Sequence, residues 1–179
     1  SHAAAVGGAQ PRPRAVARNL TVSWAGDTQG YAVRPAGPDD LAAVTDCRRR
    51  WVAERTDASD PGFEDRMADW WVREADRRAT WLAWAGEQPI GMAATVIFER
   101  MPAPGALTAR WGYVSQVWVD AAYRRRGVAS TLMGAVIAWA RREGLVRLVL
   151  NPSDESRPMY AALGFREASD LLRLDLSGR

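Results

Sequence analysis

Three consecutive arginines and a glycine, in Arg124-Arg125-Arg126-Gly127-Val128-Ala129, are the residues of this sequence best placed to do chemistry. Before them runs Val114 to Val119, rich in strand-forming valines. After them Val128, Leu132, Ala135, Val136 and Trp139 recur at helical spacing, and Gly144 supplies a stop. The basic turn therefore opens a helix. The first turn of a helix presents unpaired N–H groups and the positive end of the macrodipole, which together favour a phosphate. Gly127 lets a ligand approach the backbone closely, and Ala129 keeps the next approach open. Arg124, Arg125 and Arg126 can add charge-assisted hydrogen bonds of about 1.5–3 kcal/mol each. The alternative is an ordinary strand–helix connection with a solvated arginine run.

Elimination narrows the chemistry. The one histidine is His2, in an Ala/Gly/Pro-rich N-terminal stretch, so an internal histidine base, a Ser–His pair and a histidine-ligated zinc are excluded. Cys47 is the one cysteine, which leaves no intramolecular disulfide and no cysteine-rich metal cluster, and fits a reducing cytoplasm. All 24 basic residues are arginine, so a Walker lysine and a lysine Schiff base are both absent. Carboxylates, tyrosine, backbone amides and water remain. A net charge of +3, spread along the chain, is too mild to point to nucleic acid, and no apolar run is long enough to span a membrane.

The loop fits the R/Q-x-x-G-x-G/A pattern, with Arg124, Gly127 and Ala129 at the fixed positions. Downstream, Val146-Arg147-Leu148-Val149-Leu150 reads as a strand, and Ser156 to Phe165 carries a Y-x-x-x-G-F ending at Tyr160, Gly164 and Phe165. In this order the motifs resemble the GNAT superfamily of N-acetyltransferases over about residues 30–176. The resemblance implies an α/β (α+β) fold: a mixed, mostly antiparallel sheet with a splay between central strands and helices on both faces. It implies acetyl-CoA as cosubstrate and no metal. Arg124, Arg125, Arg126, Gly127, Val128, Ala129, Ser130 and Thr131 would hold the pyrophosphate, largely through main-chain N–H groups. The backbone of Val117, Trp118 and Val119 would lie along the pantetheine arm. Tyr160 would protonate the departing thiolate; a plain core tyrosine beside Leu163 and Phe165 is the alternative. The family asparagine stands seven residues before the tyrosine, where this chain has Ser153. Asn151 stands nine before it, and either is a candidate CoA contact.

The chain must position these groups. At 179 residues it fits one core, to which nine tryptophans contribute. Residues 1–29 read as an N-terminal extension, with Ser1-His2 as a processing scar. In it Leu20 to Trp24 is a candidate short strand that docks on the sheet or on a neighbouring subunit, so a homodimer stays open. The single domain, residues 30–179, begins with a strand at Tyr31–Pro35. A helix from Leu41 to about Glu54 carries Leu41, Val44, Cys47 or Arg48, and Trp51 on one face, and a second runs from Phe63 through Arg78. Strands Thr80–Ala85 and Ile90–Phe98 form a hairpin about the turn Gly86–Pro89, and Leu171–Leu176 alternates like a terminal strand.

The proton acceptor is the open point. Many relatives carry a glutamate early in the central strand, where this chain reads Arg110-Trp111-Gly112-Tyr113. An alkylamine of pKa about 10.4 is deprotonated in only about one molecule in 2,500 at pH 7, a handicap of roughly 4.6 kcal/mol. Either Glu99, Glu54 or Asp57 takes the proton through water, or the acceptor is a weakly basic amine. The reading is an acetyltransferase acting on a small-molecule or peptide amine. A peptide or protein N-terminal acetyltransferase, and a non-catalytic acyl-CoA-binding module on the same fold, remain alternatives.

Overall fold

The computed structural model describes residues 24–26, 30–105 and 108–176. Six strands make one sheet in the order of the chain: β1 (Trp24–Gly26), β2 (Tyr31–Pro35), β3 (Arg78–Ala85), β4 (Gln88–Glu99), β5 (Arg110–Val119) and β6 (Leu148–Leu150). Neighbours are antiparallel except β5 and β6, which are parallel. Helices α1 (Leu41–Ala53) and α2 (Phe63–Arg73) lie between β2 and β3, α3 (Val128–Arg142) between β5 and β6, and α4 (Arg157–Ala162) after β6.

Two buried clusters show what each face covers. One packs Leu132, Met133, Val136 and Trp139 of α3 and Tyr160 of α4 against Val33, Trp81, Val114 and Val119. The other packs Val44 and Cys47 of α1 and Trp71 of α2 against Leu82, Met92 and Trp118. The sheet is thus filled from both sides, as a layered α/β architecture requires.

Several expected elements shift. The second helix ends at Arg73, not Arg78. Glu74 folds the chain back, with its carboxylate bonded by Arg77, and the Arg77 carbonyl already accepts from Ile97 N–H of β4 at 2.7 Å. The hairpin turn shrinks to Gly86 and Glu87, with Gly86 at φ 59°, so that Gln88 and Pro89 belong to β4. Gly144 ends α3 as expected, at φ 68° with Leu145 N–H reaching Ala140 O at 2.9 Å.

The expected strand at Leu171–Leu176 is not formed. Leu172, Leu174 and Leu176 are 100%, 80% and 88% exposed. An edge as short as β6, three residues, offers few ladder bonds against the roughly 1–2 kcal/mol that ordering each residue costs. Of the expected strand at Leu20–Trp24, residues 20–23 lie outside the described residues. Trp24 opens β1, which pairs with β2 from Trp24↔Val33 to Gly26↔Tyr31.

Candidate active site

Strand β5 changes character in its middle. Gly112 N–H donates to Arg147 O at 3.0 Å, and β6 pairs with β5 over Gly112, Tyr113 and Val114 alone. Gly112 permits this close pairing, since a Cβ there would sit 2.7 Å from Leu148 Cδ2 and 2.9 Å from Thr95 Cγ2. The register with β4 then slips, Ala94 facing Gln116 and Thr95 facing Val114, so Ser115 is a bulge. The bulge reverses parity. Asp120 N–H donates to Ile90 O at 2.8 Å, so alternation turns the amides of Gln116 and Trp118 towards β4 as well. The main-chain groups of Val117 and Val119 therefore face the side that β6 has left. A strand edge that no neighbouring strand pairs among the described residues opens there, with Val119 C=O accepting from a side chain of the following loop.

That edge runs into the arginine loop. A 3-10 turn at Ala121–Tyr123 is capped by Asp120, whose carboxylate accepts from Ala122 N–H at 2.9 Å. Arg125 follows with φ 60°, the sole non-glycine residue of positive φ among those described, and Gly127 with φ 81°. Two left-handed residues two apart curl the backbone at the N-terminus of α3, where Val128, Ala129 and Ser130 have no intrahelical N–H acceptor. Helical bonding starts with Thr131 N–H to Gly127 O at 2.9 Å. The arrangement fits a diphosphate: an amide-lined concavity at the positive end of a helix.

The arginines do not act alike. Arg124 is exposed but tethered, its Nε donating to Val119 O at 2.9 Å and its Nη2 to Glu54 Oε1 at 2.5 Å. Glu54 Oε1 also accepts from Trp118 Nε1 at 2.9 Å. Burial pushes the Glu54 carboxyl up, but the bonds from Arg124 and Trp118 outweigh it and hold its pKa below the ordinary range. Arg125 and Arg126 are exposed, Arg126 lying over the Tyr123 ring at 5.5 Å. Ser130 is exposed, whereas the Thr131 hydroxyl is engaged by Gly127 O at 3.1 Å and Tyr31 Oη at 2.9 Å. Thr131 thus closes the first turn of α3 onto β2.

Tyr160 is buried in the α3-side cluster with Val114, Val119 and Val128, edge-on to Phe165 at 5.6 Å. Its hydroxyl has no hydrogen-bond partner among the described residues, and burial raises its pKa above the usual tyrosine value. Asn151 follows the end of β6, is exposed, and donates through Nδ2 to Tyr113 Oη at 3.2 Å. Ser153 bonds the Ser156 hydroxyl at 3.0 Å. Ser156 stands at the N-cap of α4 but its hydroxyl turns back to Ser153 O at 2.9 Å, while Pro158 occupies the first turn.

Glu99 ends β4 opposite Arg110, exposed. Ser115 stands five positions beyond Arg110 in β5, about 17 Å of strand. The register therefore sets Glu99 apart from the free edge, whereas Glu54 reaches it.

Sequence reasoning missed the residues that α1 brings over the same stretch. Arg48 Nη1 donates to Gln116 Oε1 at 2.8 Å. The guanidinium carbons of Arg48 and Arg55 lie 4.2 Å and 4.3 Å from the centroid of the Trp51 ring. Their spacing along one helix face was readable, but nothing in the sequence shows that this face meets β5.

Comparison with known proteins agrees with this geometry. Residues 44–165 match the model of the acetyltransferase (GNAT) family. The chain is 26% identical over 158 residues to glucosamine 6-phosphate N-acetyltransferase 1 of Oryza sativa subsp. japonica, covering 88% of this chain and 93% of that one. It is 35% identical over 65 residues to glucosamine 6-phosphate N-acetyltransferase of Trypanosoma brucei brucei. That match covers 36% of this chain and 44% of the trypanosomal protein, less than half its length. An acetyltransferase of Clostridium acetobutylicum solved with acetyl-CoA superposes with a TM-score of 0.68 at 20% identity, covering 82% of this chain and 96% of that one. The free β5 edge, the left-handed loop and the family match coincide in one segment: the chain belongs to the acetyltransferase (GNAT) family.

Proposed function

We propose that the chain transfers acetyl from acetyl-CoA to a primary amine by direct attack, with Tyr160 as the general acid. The observation that carries this reading is the continuity of the free Val117–Val119 edge with the amide concavity at Arg125–Ser130. One end suits the amides of pantetheine, the other its diphosphate. Val117 N–H and C=O would pair with the arm, and an edge N–H beside the bulge would polarise the acetyl carbonyl as negative charge develops on its oxygen. Val119 O is already shared with Arg124, so the loop and the edge are held in register by one side chain. Val128, Ala129 and Ser130 supply the N–H groups for the diphosphate, with Arg125 and Arg126 free to add charge.

Tyr160 has the properties of an acid that must stay protonated until the thiolate leaves. It is buried, and its hydroxyl is uncommitted. Glu54 is assigned to positioning, since a carboxylate bonded to Arg124 and Trp118 is a weak base. The amine proton passes to solvent, which favours an acceptor amine of lowered pKa. The curated relatives are named for glucosamine 6-phosphate, and amino sugars are therefore the first acceptors to assay.

The test is thiol release from acetyl-CoA across a panel of amines: amino sugars, amino acids, peptides with free N-termini and polyamines. Turnover with at least one amine, accompanied by its acetylated product, is expected. CoA binding without turnover on any amine would make the chain an acyl-CoA-binding module.

A further inference from the structure

Most ion pairs of the described residues join one arginine to one acid. Arg48 and Arg55, like several other arginines, make no ion pair with a carboxylate among the described residues; what sets these two apart is that both lie over one ring, Trp51. Arg48 is half-buried and anchored by a neutral group, Gln116 Oε1. Arg55 is exposed and fixed by its Nη1 on Trp51 O at 2.9 Å. Both guanidinium carbons lie over one ring, so the two charges are no farther apart than their distances to its centroid, 4.2 Å and 4.3 Å, taken together. Glu54 feels the Arg55 charge, but its Oε1 is taken by Arg124 and Trp118.

Burial and the nearby Arg55 charge both press the Arg48 pKa down, a cost that an anion bound at the pair would relieve. The pair's place shows which anion. Glu54 at the end of α1 touches Trp118 and Arg124, and Arg48 touches Gln116, so the last turns of α1 lie over the part of β5 that β6 has left. The opposite face of that stretch is filled by α3 and Tyr160. A molecule attacking an acetyl group held along the β5 edge therefore approaches from the α1 side. Guanidinium forks match phosphate and carboxylate oxygens, and Trp51 keeps both forks pre-oriented.

We propose that Arg48, Trp51 and Arg55 form the acceptor subsite that holds an oxyanion carried by the amine, so that the acceptor is an anionic amine and not a neutral or polycationic one. The inference rests on the acetyl-transfer reading and names its substrate class. Matched acceptors test it: glucosamine against glucosamine 6-phosphate, an amino acid against its amide, and spermidine as the polycation. The wild type should favour the anionic member of a pair by about tenfold or more in kcat/KM, and the favoured pair separates phosphate from carboxylate.

Arg48→Gln and Arg55→Gln should each raise KM for that anionic acceptor about tenfold, leaving kcat and the KM of acetyl-CoA nearly unchanged. Rates with the neutral partner should fall far less than those with the anionic one. Arg55→Lys, which keeps the charge and loses the fork, should recover part of the loss. Inorganic phosphate should compete with the acceptor, and Arg141→Gln, on the last turn of α3, serves as a charge control. Equal use of charged and neutral acceptors, or a preference untouched in both glutamine variants with CoA affinity intact, overturns the subsite. Absence of thiol release with every amine would instead overturn the enzyme reading itself.

Discussion

The two faces of the sheet solve the problem of holding a polar ligand in different ways. On the α3 side the buried contacts are almost wholly apolar, and binding capacity lies in the backbone: a bulge at Ser115, a free edge at Val117 and Val119, and left-handed residues at Arg125 and Gly127. On the α1/α2 side the capacity lies in side chains. Arg48 and Arg55 flank Trp51, Arg50 lies over Trp118 at 4.8 Å, and Arg78 lies over Trp71 at 3.1 Å. Backbone sites tolerate many side chains but few conformations; guanidinium–aromatic sites tolerate the reverse. The first suits a group that is the same in every turnover, the second a group that differs between enzymes.

The comparison is broken most directly at Tyr160, the buried α3-side hydroxyl without a hydrogen-bond partner among the described residues. Tyr160→Phe should lower kcat about 10²-fold with CoA affinity almost unchanged, at the low end of general-acid effects because a thiolate of pKa near 8.5 already leaves fairly well. The ring and its packing on Phe165 survive, so stability should fall little. Because burial raises the Tyr160 pKa, the basic limb of the wild-type rate should lie above the ordinary tyrosine value near 10, and it should vanish in the variant. Wild-type turnover by the variant would reduce Tyr160 to a core residue; loss of CoA binding would make its role positional.

Next comes the backbone itself. Gly127 has φ 81°, where a β-branched residue is an outlier, so Gly127→Val must re-route the loop. CoA affinity measured by calorimetry should weaken by well over tenfold, while thermal unfolding shows a folded domain. Unchanged affinity in a folded variant would remove the loop from the site and leave the α3 side without a ligand role.

How much of each face could be read in the sequence follows from the same difference. Backbone geometry needs residues at fixed short spacings, and Arg124, Gly127 and Ala129, like Tyr160, Gly164 and Phe165, lie within six residues of each other. The splayed sheet, α1, α3 and the loop were therefore legible. Side-chain stacks draw on distant segments: Arg48 meets Gln116 and Glu54 meets Arg124, across 68 and 70 residues. No local pattern reports such contacts. The bulge at Ser115 leaves only a faint trace: Val114 and Val117 stand three apart, out of phase for an unbroken strand, but that spacing alone does not say which residue bulges. The C-terminal leucines misled for a related reason: Leu172 and Leu174 have strand periodicity, but a strand needs an edge to pair with, and periodicity says nothing of its length.

A smaller effect is expected where the two faces are joined. Glu54 is held below its ordinary pKa, so its contribution to stability is present above the unfolded value near 4.3 and is lost as pH falls through the lower folded value. Glu54→Gln should lower Tm at pH 7 by at most about 3 °C, since a partly exposed pair contributes up to about 1 kcal/mol. The gap between variant and wild type should close below pH 4. It should also raise KM for acetyl-CoA a fewfold by releasing Arg124 from the loop. A Tm gap that persists in acid would show packing, not charge, at Glu54.

The smallest effect is expected at Cys47, and it separates the two kinds of side chain on the α1 face. Arg48, next in sequence, is half-buried beside the free edge; Cys47 faces the opposite way into the cluster with Leu82 and Met92 and is 0% exposed. Burial pushes its thiol up to about 12. At pH 8 an ordinary thiol of pKa near 8.5 is about one-quarter thiolate, whereas one near 12 is ionised in only about one molecule in 10⁴. Alkylating reagents should therefore leave the folded protein unmodified and fully active at pH 8, and label Cys47 stoichiometrically only in denaturant. Rapid labelling of the native protein, with loss of acceptor turnover and not of CoA binding, would place Cys47 in the acceptor site and show that the α1 face opens further than its packing indicates.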